Sequence, residues 1–416
     1  MRAAGFIAGR LDKRTDYPGD EKRLSGISRK IACASVALSI ALIIMALSVT
    51  SGFRYAVREK ATGFMGSVVL VPPGQGPFNE LEPFSRNLSY IGRLTSLEGV
   101  ESVSPAACRS GLVRSSNGIS GLFFKGVDSL YDFSFFADAL CDGALPDFSG
   151  KISSDILISS RLASSMGYRT GDYLTAYFVG EKMKVRKFRI SGLFDARLED
   201  IDNSMALVDI RHIQRISGWS QDEVSAIEIR FSPDTDLDAA LQEVRSAESR
   251  YSSEGDPSLF ALSIKTICSN LFDWLSLLDF NTLAIIVLMI AVAAFNMISA
   301  VLILMFRHIR TIGILKSLGM KYSGITSVFL LNSSLVLAKG ILTGTAFALV
   351  LCCVQKYFKP FKLDPSNYFV DSVPVQIDPA VVAAAGLISF TAILCILSVC
   401  SLFVSGISPD KTMRSD

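Results

Sequence analysis

The chain has 416 residues, half of them hydrophobic, and a formal net charge of only +2. That near-neutral balance argues against a nucleic-acid partner. The apolar residues gather into long runs, which argues against a wholly soluble protein.

Taken in order, the chain opens with a polar N-tail that includes a candidate interfacial stretch, Phe6-Ile7-Ala8. Four apolar runs follow along the sequence, each long enough to cross ~30 Å of hydrocarbon as a helix. They are Ile31–Val49, Leu283–Phe306, Val328–Val354 and Ala380–Val404, and only the third holds a charge, Lys339. The first run, and the charged stretch before it, are longer than a signal peptide requires, so it reads as an uncleaved span. Past Val49 an apolar helical pattern continues at Phe53, Val57 and Ala61, as in a stalk leaving the membrane.

Basic residues beside the spans set the orientation. The N-tail carries Arg2, Arg10, Lys13, Arg14, Lys22, Arg23, Arg29 and Lys30, and the loop between spans two and three carries Arg307, Arg310, Lys316 and Lys321. In the loop between spans three and four, Lys356, Lys359 and Lys362 are diluted by Asp364, Asp371 and Asp378. Both termini are therefore expected in the cytoplasm, with the long segment between spans one and two outside.

That segment reads as mixed α and β. Strands are expected at 67–71, 100–103, 111–113, 123–127, 156–158, 206–208 and 226–231. A hairpin is expected from 173–179 and 183–192, turning at Gly180-Glu181-Lys182. Helices are expected over 88–97, over 160–166 closed by Gly167, over 210–216 capped by Asp209, and over 236–247. From Leu259 to Leu278 an apolar helical spacing resumes, as in a second stalk.

The fold class is thus a multi-pass α-helical membrane protein with four transmembrane helices and a large mixed α+β domain between helices one and two. The expected boundaries are N-tail 1–26, span one and stalk 27–55, external domain 56–265 and second stalk with span two 266–306. A cytoplasmic amphipathic segment 307–322, span three 323–357, external loop 358–378, span four 379–404 and C-tail 405–416 complete the chain.

No catalytic constellation is present. The two histidines, His212 and His308, have no nucleophile motif beside them, and neither H-E-x-x-H nor the nucleotide-binding G-x-x-x-x-G-K-[ST] occurs. Glu199, Asp200 and Asp202 read as a solvated acidic loop. Cys108 and Cys141 are the cysteines well inside the external segment; they either pair or stay as two buried thiols. Lys339 either marks a functional path, where Asn332, Ser333 and Ser334 could hydrate it, or snorkels toward the cytoplasmic interface; no acidic residue in the other spans can pair with it, and snorkelling is the favoured reading. Gly340 and Gly344 form a weak helix-packing signal.

The segment Arg307–Met320 has no acidic residue. Arg307, Arg310, Ser317 and Lys321 share one arc of a helix, and Ile312, Leu315 and Leu318 share another. Such a helix either lies on anionic head groups or docks on a cytoplasmic partner.

Six stretches in order carry a resemblance. They are Phe6–Arg10 with Ile31–Phe53 and Glu59–Ser67; Gly99–Pro105; Ser191–Asp195 through Asp202; Arg307–Met320; Tyr368–Pro374; and Ser405–Arg414. Together they resemble the lipoprotein-releasing (LolC/LolE-like) family of ABC transporter permeases, within the FtsX/MacB-like mechanotransmitting class. In the family's coupling helix an acidic residue usually stands where this chain has Ile309. The resemblance implies a dimer with a second permease, homomeric or heteromeric, in the inner membrane. It implies no cofactor of the chain's own, because ATP is bound by a cytoplasmic ABC ATPase. Ile312, Leu315 and Leu318 would enter a groove on that ATPase, with Arg307, Arg310 and Lys316 making polar contacts. The periplasmic domain would release a lipoprotein cargo to a periplasmic carrier. The alternatives are an efflux-type, macrolide-exporter-like permease, a cargo-free mechanotransmitter acting on a cell-wall hydrolase, or an anchored external enzyme.

Overall fold

The computed structural model describes residues 19–74, 76, 82–115, 118–180, 182–307, 313–314, 316–320, 322–364, 368 and 370–405. The elements begin α1 (Gly19–Met65), β1 (Val68–Val71), β2 (Phe84–Ser85), α2 (Ile91–Leu94), β3 (Val100–Ser115), β4 (Gly118–Val127), α3 (Ser134–Ala139), β5 (Leu140–Gly143), β6 (Asp155–Ser159) and α4 (Ser160–Met166). They continue β7 (Tyr173–Phe178), β8 (Lys184–Phe194), α5 (Glu199–Ser204), β9 (Met205–Asp209), α6 (Ile210–Ser217), β10 (Glu223–Val224), β11 (Ala226–Phe231), α7 (Leu237–Tyr251), β12 (Phe260–Ser263), α8 (Ile264–Ile267), α9 (Ser269–Arg307), α10 (Tyr322–Phe358) and α11 (Pro379–Ser405). They form two compact units: Met1–Phe53, Ser276–Lys362 and Ser372–Asp416 in one, Arg54–Leu275 and Leu363–Asp371 in the other.

The first unit is helical. Among the described residues, four helices are long and apolar enough to cross a membrane: Arg29–Met65, Ser269–Phe306, Gly324–Phe358 and Pro379–Cys400. The first is the bundle's centre, since 44% of its apolar window is buried against 22%, 28% and 22% for the others. It touches α9, α10 and the segment that leads into α11. The Asn296 amide of α9 donates to Ser35 Oγ, and the hydroxyls of Thr50 and Thr282 lie 2.5 Å apart. Gln376 N–H, ahead of α11, donates to Ser48 O at 3.0 Å. On α10, Gly344 lies so close to α1 that a Cβ there would sit 2.3 Å from Ala37 O. The Gly340/Gly344 spacing is therefore a packing surface, small residues letting two backbones approach.

At ~1.5 Å per residue, the 47 residues of α1 extend for ~70 Å, over twice the ~30 Å a bilayer core needs. The apolar pattern past Val49 does continue as one helix.

The second unit is built on a ten-stranded mixed sheet, β12-β1-β11-β3-β4-β9-β6-β8-β5, with β7 joining β3 to β8. The β4/β9 and β6/β8 pairs are parallel and the others antiparallel. Strands β3, β4, β9, β6, β8 and β7 thereby close a ring. Phe124, Phe178 and Phe188 fill it, with ring centroids 4.9 and 6.0 Å from Phe124. Helix α4 ends at Gly167, whose φ of 75° closes it, and the Asp209 carboxylate caps α6 by accepting from Arg211 N–H.

Several expected elements differ. The strands expected at 100–103 and 111–113 are one strand of 16 residues. The helix expected over 88–97 shrinks to Ile91–Leu94, because Gly92 weakens it and apolar residues three apart suit a tight turn as well as a helix. The first residues of the expected second stalk, Phe260–Ser263, are a strand that pairs with β1. Cys108 and Cys141 are not joined; Cys108 is buried and Cys141 is exposed. Burial, with Glu228 nearby, pushes the Cys108 thiol up to about 12, so it stays protonated and inert.

Candidate functional site

Both long membrane helices enter the mixed domain through neighbouring strands. Helix α1 runs into β1, and β12 runs into α8 and then α9. Strands β1 and β12 pair antiparallel, with Val68 opposite Ser263, so the two attachment points are side by side. Ser67 O accepts from Ile264 N–H at 3.0 Å, and Ser67 N–H donates to Ile229 O at 2.8 Å. Phe64 and Met65 at the end of α1, with Ile267, Leu271 and Phe272 from the other side, pack into one core around Tyr131, Phe136 and Phe194.

The end of α1 is fixed in detail. Gly66 has φ +78°, which closes the helix, and a Cβ there would meet the Ile229 backbone at 3.0 Å. The last carbonyls of a helix lack intrahelical partners. Phe64 O is met by Lys125 Nζ, which donates to it at 2.5 Å. The same ammonium donates to Glu228 Oε2 at 2.7 Å and to Tyr131 Oη at 3.3 Å, and lies 5.1 Å from the Phe64 ring centroid. Lys125 comes from β4 and Glu228 from β11; β3 lies between them. The side chains are 1% and 6% exposed, so this is a buried ion pair. Burial pushes the Lys125 pKa down, but Glu228 and then Tyr131 more than reverse that and hold the ammonium above the ordinary lysine range. A narrow polar crevice beside the pair is lined by Thr62, Ser102, Ser104, Asp132 and Arg230.

Two further contacts hold the same turns of α1. Arg58 donates to Thr235 O, and Lys60 Nζ donates to Ala196 O at 3.1 Å. Burial, then the Arg197 charge, lowers the Lys60 ammonium. Arg197, at φ +58°, forms an ion pair with Asp371 of the loop ahead of α11. Asp202, expected in a solvated acidic loop, is instead 1% exposed: its carboxylate accepts from Ala196 N–H at 3.1 Å and Leu198 N–H at 3.2 Å. It shapes the loop that receives Lys60; the side chains of Glu199 and Asp200 lie outside the described residues.

Of the residues expected to meet an ATPase, Arg310, Ile312 and Leu315 lie outside the described residues, as does the side chain of Arg307, the last residue of α9. Lys316 and Leu318 are exposed, Leu318 at 78%. Leu318 N–H donates to Ile314 O at 3.1 Å, and Gly319 follows at φ +83°, so a helical turn ends here. Ile314 is 61% exposed and one turn from Leu318, an apolar surface residue not picked out from the sequence. Lys339 is exposed on α10, and its neighbour Gly340 packs on Val36 and Cys33 O of α1. That level is about one turn from the exposed Arg29 and Lys30.

Lys125, Glu228 and Tyr131 were not expected from the sequence. The signal was a lysine inside Phe123-Phe124-Lys125-Gly126-Val127 and a glutamate inside Ala226-Ile227-Glu228-Ile229, opposite charges in two otherwise apolar strands.

Four helices long and apolar enough to cross a membrane, with a mixed α/β domain inserted between the first two on adjacent strands, are the frame of a multi-pass membrane protein. The family model for the MacB-like periplasmic core domain matches residues 31–247, just over half the chain, and the FtsX-like permease C-terminal model matches residues 283–409. The chain belongs to the LolC/FtsX/MacB permease family. It is 24% identical over 387 residues to the lipoprotein-releasing system transmembrane protein LolC of Xylella fastidiosa (strain 9a5c), covering 85% of this chain and 86% of that one. It is 22% identical over 379 residues to LolC of Neisseria meningitidis serogroup B, covering 86% and 87%. The solved periplasmic region of MacB from Actinobacillus actinomycetemcomitans is 14% identical, with a TM-score of 0.35, covering 51% of this chain and 95% of that one.

Proposed function

We propose that this chain is a permease subunit of an ABC transporter that releases lipoproteins from the inner membrane to a periplasmic carrier. The observation that carries the proposal is co-linearity: the similarity to LolC proteins runs through spans and domain alike, over 85% of the chain. The attachment of α1 and α9 to paired strands supports it physically, because a movement of the two helices reaches one rigid sheet at one place.

In this account both termini are cytoplasmic, and a separate ATPase binds and hydrolyses ATP. It receives the 307–322 segment, with Ile312, Leu315 and Leu318 in its groove and Arg307, Arg310 and Lys316 on its rim. The chain works with a second permease, and spans one and two act as levers on the periplasmic domain. Leu315→Asp puts a charge at the contact. It is expected to abolish co-purification of the ATPase and ATP-dependent lipoprotein release while the chain still inserts and folds. Undiminished co-purification and release in that variant would overturn the proposal.

A further inference from the structure

The Lys125–Glu228 pair has a property that packing does not explain. A buried ion pair is often replaceable by apolar residues of similar volume without loss of stability. The core around it is already dense in aromatics: Phe64 meets Phe136 edge-on at 5.8 Å, and Phe136 meets Phe194 at 5.1 Å. Apolar contact resists separation but has no direction, so a helix end held by it alone can turn or slide. A charge-assisted hydrogen bond to one carbonyl is directional. Lys125 aims such a bond at Phe64 O, the end of the helix, where the partial negative charge of the helix dipole favours a cation. Glu228 fixes the ammonium from β11, at the position opposite Val69 of β1, the strand that α1 enters. Helix end, β4 and β11 are thus joined through one nitrogen, and β11 is paired with β1, the strand that α1 enters.

We propose that Lys125 and Glu228 form a pin that fixes the end of α1 to the sheet against rotation and sliding, so that movement of this helix is delivered to the domain instead of being absorbed at the joint. The role in transport rests on the permease function proposed above; the pinning itself does not.

The test uses the full chain in lipid nanodiscs carrying Lys125→Met with Glu228→Leu. Hydrogen exchange is read by mass spectrometry, with thermal unfolding alongside. The pin predicts an unfolding midpoint within a few degrees of the parent. It predicts amide exchange over Thr62–Ser67 that is about tenfold faster, with β4 and β11 unchanged. Unchanged exchange over Thr62–Ser67, or a rise shared by every strand, overturns it. Should the double variant fail to fold, Glu228→Gln keeps the shape and an acceptor while removing the charge. A localised rise over the same amides is again expected, and its absence overturns the pin. In proteoliposomes with the ATPase subunit, lipoprotein released per ATP should fall several-fold at an unchanged ATPase rate. Parent protein that shows no ATP-driven release refutes the permease function, and the exchange result still decides the pin.

Discussion

Two lysines in apolar surroundings meet the cost of their charge in different ways. Lys125 lies inside the mixed domain, 0% exposed, and is satisfied by Glu228, Tyr131 and a helix carbonyl. Lys339 lies in an apolar helix, is exposed, and has no acidic partner among the described residues. Water cannot reach the first, so only a protein partner can stabilise it. The second has a flexible stem, and its neighbour Gly340 packs on Cys33 about one turn from Lys30, the arrangement that snorkelling would need. The difference teaches where a charge is tied to structure. The domain's charge is locked to its neighbours, and the span's charge depends on the medium.

The comparison is sharpened most by Glu228→Leu alone. It leaves Lys125 buried without its counter-ion and should cost about 3–5 kcal/mol, seen as a large drop in the unfolding midpoint of the full chain. Next comes Gly344→Leu, which forces a side chain into the Ala37 backbone. Overpacking of this kind costs about 1–3 kcal/mol and should loosen α1 from α10, measurable by unfolding in bicelles.

A smaller effect is expected from acid. Burial lowers the His212 pKa from its usual value of 6.5, although Ser153 O accepts from its ring at 3.0 Å. The folded state then binds fewer protons than the unfolded chain, so stability is present above that value and is lost as pH falls through it. Unfolding midpoints at about pH 7.5 and about pH 5.5 should differ less in His212→Asn than in the parent. Smallest of all is Lys339→Met, expected to change stability by no more than about 0.5 kcal/mol. A loss as large as that of Glu228→Leu would break the contrast between the two lysines.

Much of this was legible in the sequence, for physical reasons. The four apolar runs and the Phe53, Val57, Ala61 continuation showed the long first helix, because period and length are strong signals. Asp209 and Gly167 marked helix ends because cap chemistry is local. Strand β12 was not legible: four apolar residues ahead of a helix fit either period, and only pairing with β1 makes Phe260–Ser263 a strand. Asp202 looked solvated because the backbone N–H groups that hold it are set by the loop's folded shape, and not by its composition. Lys125 and Glu228 are 103 residues apart, so their pairing exists only once β4 and β11 lie on either side of β3.

The central claim is that the segment after α9 docks on an ATP-hydrolysing subunit. A photocrosslinking residue placed at Leu318, which is 78% exposed, tests it in living cells. The account predicts one dominant adduct to an ABC ATPase, weakened by Leu315→Asp in the same chain. Adducts to lipid alone, with the protein still inserted and folded, would contradict it.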